Sequence, residues 1–343
     1  MTTPGWKQRP EVGGRAAVKL IHAVTRLGGR SLGRLVLPPI ALYFYLRRGA
    51  ERRASRDYLT RVLGRPARAV EVIRHIGTFA ATILDRVFLL SESTRRFDVS
   101  VHGLDGLHAQ LDQGRGLLLF GSHLGSFEVL RVLARKRPET VIRVVLDKAH
   151  SPAVTQLLED LNPEVAATVI DAGQEGMAIM LEIQQAAQQG ALIALLVDRT
   201  QPGEPAARVP FLGAPADFPV SPWLIAAVLR LPVSLAFGLY RGGNRYDLLF
   251  EPFSDGVVIP RNARATAVPA LIARYAARLE HHVRRAPYNW FNFYDFWEQG
   301  DRHDSTPSAS PRGAIDDGTR DGHAAPGAGM QPDGAIRSGP DGA

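Results

Sequence analysis

Residues 116–138 (GLLLFGSHLGSFEVLRVLARKRP) set an uninterrupted apolar run, a glycine- and serine-rich break and an amphipathic segment in direct succession. Five apolar positions without polar alternation, residues 116–120, have the pattern of a strand covered on both faces inside an α/β sheet. Gly121 ends the run. Further on, Phe127, Leu130, Val132 and Leu133 keep a helical spacing, and Ser126 is placed to cap that helix. Arg135, Lys136 and Arg137 suit its C-terminus before Pro138 stops it. His123 therefore falls in a strand-to-helix turn, outside the carboxyl end of a strand, where open α/β sheets hold their ligands.

His123 and Glu128 are five residues apart. On one continuous helix that is about 500°, so the two side chains would diverge by roughly 140°. They meet only if His123 lies in the turn and Glu128 one turn into the helix, which the glycines allow. A carboxylate behind an imidazole fixes its tautomer and stabilises the imidazolium, so the pair reads as a general base with its orienter. A hydrogen-bonded turn histidine beside an unrelated helix glutamate fits the same spacing. GSHLG has the outline of a G-x-S-x-G nucleophile elbow, but its central residue is histidine, so no serine nucleophile is placed there.

The rest of the chain alternates strand and helix signals. Strands are expected at residues 97–101, 141–146, 166–170 and 191–197, with helices at 152–161 and 175–189 between them. Such alternation implies right-handed crossovers and an α/β fold, a mixed, largely parallel sheet flanked by helices. After a helix at 221–230, LPVSLAFGLYR and residues 245–253 are expected to pair as a hairpin across Gly242, Gly243 and Asn244. A strongly periodic helix follows at 266–285. Residues 191–197 deliver Asp198 and Arg199 to the same sheet edge as His123 if the strands are parallel. Arg199 could hold a phosphate or an oxyanion with Asp198 orienting it, or the two could simply cap a strand end. Residues 201–222 contain six prolines and read as a long loop, a lid or binding segment. Seven aromatics in residues 288–297 either close over the core or meet lipid. His75 is expected as surface or core filler, His102 and His108 as structural, and His281 and His282 as solvated.

Among 343 residues there is no cysteine, which excludes thiol catalysis and disulfides, and neither H-x3-H nor H-E-x2-H occurs. No secretory signal is visible near Met1. The net charge of +7 is uneven: residues 1–70 carry 15 Lys/Arg against 3 Asp/Glu, and the remainder 26 against 31. A basic arm suits nucleic acid or an anionic membrane surface. Its basic residues flank an apolar segment, which favours the membrane over nucleic acid. That segment, residues 35–46 (LVLPPIALYFYL), has twelve uncharged residues between Arg34 and Arg47–Arg48. A span needs about 20, so it is expected as an interfacial or re-entrant anchor on the cytoplasmic leaflet, or as a helix docked on the protein's own core. The expected organisation is a mobile start (1–14), a basic helical membrane-associated region (15–90) opening on an amphipathic helix at 15–30, a catalytic domain (91–298) and a disordered tail (299–343).

Taken together, GSHLGSFE as an H-x4-D/E motif, LLVDRT followed by RVPFLGAPADFPVSPWLIA, the LPV beyond and the YNWFNFYDFW terminus resemble the late lipid A acyltransferase family. These are the lauroyl/myristoyl transferases of the lysophospholipid acyltransferase superfamily, and the resemblance covers roughly residues 30–297. It implies a glycerolipid acyltransferase-like fold with N-terminal membrane-associated helices. The implied activity moves a fatty acyl chain from an acyl carrier protein or coenzyme A thioester to a hydroxyl or amine of a lipid acceptor. In that scheme His123 takes the acceptor proton and Glu128 orients His123, with no metal, cofactor or enzyme nucleophile. Asp198, Arg199 and Arg208, with Ser122 and Gly125 of the turn, would lie near the donor or a phosphorylated acceptor. The same chemistry on another lipid or on a carrier-bound polyene, and a non-catalytic lipid-binding homologue, are the alternatives. The implied location is the cytoplasmic face of the inner membrane, peripheral or monotopic.

Overall fold

The computed structural model describes residues 29–90, 96–130, 139–149, 152–161, 163–201 and 203–297, all within one compact unit of residues 1–304. The expected mobile start, the amphipathic helix up to residue 28, the continuation of the turn helix through 131–138 and the tail lie outside the described residues.

Seven strands form one sheet: β1 (Asp98–His102), β2 (Leu117–Gly121), β3 (Ile142–Leu146), β4 (Ile170–Asp171), β5 (Leu192–Leu196), β8 (Val233–Gly242) and β9 (Arg245–Ser254). Their spatial order is β1-β9-β8-β2-β5-β3-β4. All neighbours are parallel except β8 and β9, the hairpin expected across Gly242–Asn244. β2 is central and fully buried, with Leu118 and Phe120 facing one core and Leu117 and Leu119 the other. Burying each of these side chains contributes about 1.5–3 kcal/mol, which is why so short a run fixes the middle of the sheet.

Most of the expected strand at residues 166–170 stays out of the sheet. Residues Pro163–Ala167 form a one-turn helix, α6, and β4 is confined to Ile170–Asp171. Pro163 is acceptable in a first helical turn, whereas alanines carry no strand preference, so the β-branched end alone joins the sheet.

The proline-rich stretch is not an open loop. β6 (Ala206–Phe211) and β7 (Ala214–Pro219) make a separate antiparallel hairpin. Along β6 exposed and buried positions alternate, and the two turn residues Leu212 and Gly213 both have positive φ, the geometry a two-residue hairpin needs. With no third strand on either edge among the described residues, prolines cost this ribbon few ladder hydrogen bonds.

The remaining helices are α4 (Leu104–Leu111), α5 (Pro152–Leu161), α7 (Gly176–Gln188), α8 (Ser221–Leu229) and α9 (Arg264–Arg285). Before the sheet come α1 (Leu37–Arg47), α2 (Gly49–Leu63) and α3 (Ala69–Leu90). The two prolines of α1 sit in its first turn, where missing N–H groups cost nothing, so the helix forms despite them. Leu37 and Ala41 are buried, Ala41 against Gly77 of α3, while Leu32, Leu35, Leu42, Tyr43 and Leu46 are exposed. Among the described residues no helix is long and apolar enough to cross a membrane.

Asp85 of α3 ties these helices to the sheet. It is fully buried, paired with Arg30 (2.7 Å) and Arg34 (3.3 Å), and accepts a hydrogen bond from Tyr246 of β9 (2.9 Å). A buried carboxylate needs such partners, because desolvating it alone would cost several kcal/mol.

Candidate active site

The parallel register of β2 and β5 builds the centre of the site. Gly121 pairs with Leu196, and two residues beyond each strand end the same offset of 75 residues sets His123 opposite Asp198. His123 Nδ1 is 2.8 Å from Asp198 Oδ1, and the backbone N–H of His123 donates to Asp198 Oδ2 at 3.0 Å. Trp290 Nε1 donates to that same Oδ2 at 3.0 Å. An ionised carboxylate only accepts, so His123 carries its proton on Nδ1 and leaves the Nε2 lone pair outward. Nε2 has no hydrogen-bond partner among the described residues, and the side chain is 31% exposed, whereas Asp198 is fully buried.

The electrostatics hold both groups in these states. Burial alone would raise the Asp198 carboxyl, but His123 and Arg199 outweigh it and bring it to about 2. His123 is held below its ordinary value, first by burial and then by the charges of Arg199 and Arg86, against the opposite pull of Asp198. At neutral pH the site therefore holds a neutral imidazole on an ionised carboxylate.

Glu128 is elsewhere. The described helix after the turn is a short 3₁₀ segment, Phe127–Leu130, and Glu128 at its start meets Arg86 Nε of α3 at 2.5 Å and accepts from Ser126 Oγ at 2.9 Å. The His123–Glu128 pairing expected from the five-residue spacing is thus replaced by His123–Asp198. The cause is the path of the turn. Gly125 N–H donates to Asn289 O (2.8 Å), Ser126 N–H to Gly238 O (2.8 Å), and Gly125 has φ +77° with its α-carbon packed on the Gly238 carbonyl. A side chain at position 125 would overlap that carbonyl, so only glycine lets the turn lie against β8.

Arg199 does not hold Asp198 as a partner cap. Its guanidinium donates to Phe291 O (2.6 Å) and lies over the Tyr294 ring, 5.5 Å from its centroid, close enough to act on His123. Ser122 is buried between His123 and the Gly121 carbonyl that accepts from Tyr275 Oη. Arg208 is exposed on β6, opposite Asp217 in the hairpin register.

The aromatic terminus closes over the core. Trp290, Phe291, Tyr294, Phe296 and Trp297 are all buried, and Phe291 N–H donates to His123 O (2.9 Å). Behind it stands His75 of α3, fully buried, with Nε2 2.9 Å from Trp290 O and Nδ1 2.8 Å from Ser55 Oγ of α2. A carbonyl only accepts, so Nε2 carries the proton and Ser55 donates to Nδ1. Trp290, His75 and Ser55 escape sequence reasoning: one sits in an aromatic run with many equals, and the others look like ordinary interior positions of helices. Among the described residues no three His, Asp or Glu side chains are grouped to hold a metal ion.

A turn histidine aimed outward by a buried carboxylate can take a proton from a bound hydroxyl or amine. No curated protein matches the chain. The sequence profile of the bacterial lipid A biosynthesis acyltransferases, however, matches residues 15–299, and the chain belongs to that family.

Proposed function

We propose that this protein moves a fatty acyl chain from an acyl carrier protein or coenzyme A thioester to a hydroxyl or amine of a lipid A-like acceptor, with His123 Nε2 as the general base. Acyl transfer is the activity of the family. The observation that carries the residue assignment is the tie of His123 Nδ1 to ionised Asp198, with Nε2 outward. The acceptor proton passes to Nε2 as its oxygen or nitrogen forms a bond to the thioester carbonyl carbon. The resulting oxyanion collapses, the C–S bond breaks, and the imidazolium returns its proton to the departing sulfur. Asp198 supports the imidazolium, and Arg199, whose charge acts on the ring, favours the oxyanion. Glu128 acts at one remove, holding Arg86 and the start of the 3₁₀ turn. Gly125 shapes the turn and Ser122 backs it.

The same reading puts the protein on the cytoplasmic face of the inner membrane, bound peripherally. Leu42 and Leu46 are exposed one turn apart on α1, with Leu32 and Leu35 exposed in the stretch just before it and Arg47 and Arg48 at its end. That pattern suits an in-plane amphipathic contact with anionic lipid.

The test is turnover by the purified protein, with a fatty acyl thioester and a phosphorylated glycolipid acceptor presented in mixed micelles. His123→Ala should lower kcat by about 10²–10⁴ while circular dichroism stays unchanged. Wild-type rates in that variant would remove His123 from the chemistry.

A further inference from the structure

Beside α9, and lined by none of the residues of the His123 site, a cavity of about 390 Å³ opens between α9 and the strands β8, β9 and β1. Its cations come from separate elements: Arg241 from β8, Arg278 and Arg285 from α9, with His102 of β1 and the pair His281 and His282 beside them. Two carboxylates face it, and both are engaged. Asp247 takes Arg241 at 2.7 Å. Glu251 takes Arg278 through two contacts of 2.8 and 2.9 Å and His282 at 2.6 Å. Three guanidiniums thus meet two carboxylates.

The third guanidinium, that of Arg285, has as its neighbour His281 Nε2 at 3.5 Å, and both side chains are exposed. His281 is held below its ordinary value by partial desolvation and by the charges of His282, Arg278 and Arg285. His282 is 4% exposed, and its buried Nδ1 has no hydrogen-bond partner among the described residues. Cations in the last turn of a helix commonly complement its carbonyls. That does not account for Arg241 and His102, which reach the same space from two strands. The arrangement suits an anion with several acceptor oxygens.

We propose that this groove binds a phosphate group carried by one of the two substrates at a distance from the reacting atoms. Arg285 and Arg241 present forked donors suited to a tetrahedral oxyanion, and Leu239 and Leu249 form an apolar wall for what the phosphate is attached to. β8 neighbours β2, and β9 lies beyond it, so the groove is about 10 Å from the catalytic strand across the sheet. A phosphate there anchors a substrate whose reactive end reaches His123. The source is either the phosphate on the thioester carrier's arm or a phosphate on the acceptor headgroup. That part rests on the acyl-transfer reading; binding of the anion itself does not.

Titration of the full chain with inorganic phosphate at low ionic strength, followed by calorimetry and by the histidine C2–H proton signals, tests it. Wild type should bind saturably, with the His281 pKa rising as the anion enters. Arg285→Gln, at an exposed position, should weaken binding about tenfold. Absence of saturable binding, or equal affinity in the variant, overturns the site. Kinetics then assign the source. In Arg285→Gln a raised KM for a coenzyme A thioester but not for the same acyl group on pantetheine identifies the donor. A raised KM for a phosphorylated acceptor but not its dephosphorylated form identifies the acceptor, and no change in either overturns the substrate role. If no acyl transfer occurs with any substrate, the proposed function falls, and the phosphate titration still judges the groove.

Discussion

At Asp198 the two carboxylate oxygens accept from three donors, the ring and backbone N–H of His123 and the Trp290 indole. An amide at this position offers one acceptor and one donor, so Asp198→Asn must oppose a donor to a donor or let the imidazole turn. We expect kcat to fall about 10²–10⁴. Glu128→Gln leaves the His123 contacts intact and should keep kcat within about tenfold. Its cost should appear instead as about 1–3 kcal/mol of stability through the half-lost Arg86 pair. Equal kinetic losses in the two variants would return Glu128 to the base. The pH profile separates Arg199. The base works when neutral, so activity falls on the acid side as pH drops through the folded pKa of His123, which lies below the ordinary 6.5. Arg199 contributes to that depression, so Arg199→Gln should move the acid limb of kcat/KM toward higher pH. An unmoved limb would show that the charge of Arg199 does not reach the ring.

At the scale of elements, β2 and the turn after it were legible because five buried apolar residues and two glycines leave few conformations. The partner of His123 was not. Spacing along the chain pointed to Glu128, whereas the actual pairing is a matter of strand register, Gly121 beside Leu196, which no local pattern encodes. Asp198 and Arg199 were legible as an edge pair, but their division of labour depends on Phe291 and Trp290 arriving from nearly a hundred residues away. The six prolines similarly hid a hairpin, because the alternation in β6 is short and its turn uses Leu212 at positive φ. For α1 the sequence left docking and lipid contact open, and the helix has a buried side and an exposed apolar side. Replacing Leu35, Leu42 and Leu46 together by serine should weaken binding to anionic vesicles by about 2–4 kcal/mol in total, roughly the burial lost from three partly inserted leucines. Sedimentation with vesicles checks it, and unchanged binding would remove α1 and the stretch just before it from the membrane contact.

Across the molecule, the N-terminal helices reach the base through one buried line. Ser55 on α2 donates to His75 on α3, His75 donates to the Trp290 carbonyl, and the Trp290 indole holds Asp198. Tyr58 of α2 reinforces the same contact by donating to Pro287 O. This line also makes the fold sensitive to pH. Burial brings His75 down to about 4, so the folded state keeps it neutral where the unfolded chain protonates it. The difference from 6.5 corresponds to about 3 kcal/mol, with full stability above pH 6.5 and progressive loss as pH falls from there toward 4. Asp198 and Glu251, both brought to about 2, act in a lower window, losing their contribution only as pH drops below the ordinary carboxylate range. Between pH 7 and 5 the histidines therefore dominate, and His75 alone should lower the unfolding free energy by about 2 kcal/mol. His75→Gln retains an N–H for the Trp290 carbonyl and an acceptor for Ser55, but it does not titrate. Urea unfolding at pH 7 and pH 5 should show a clear fall in wild type and a much smaller one in the variant, the remainder belonging chiefly to His123. A variant as pH-sensitive as wild type would mean that His75 is not held neutral by the fold, and that the link from the N-terminal helices to Asp198 is looser than its geometry.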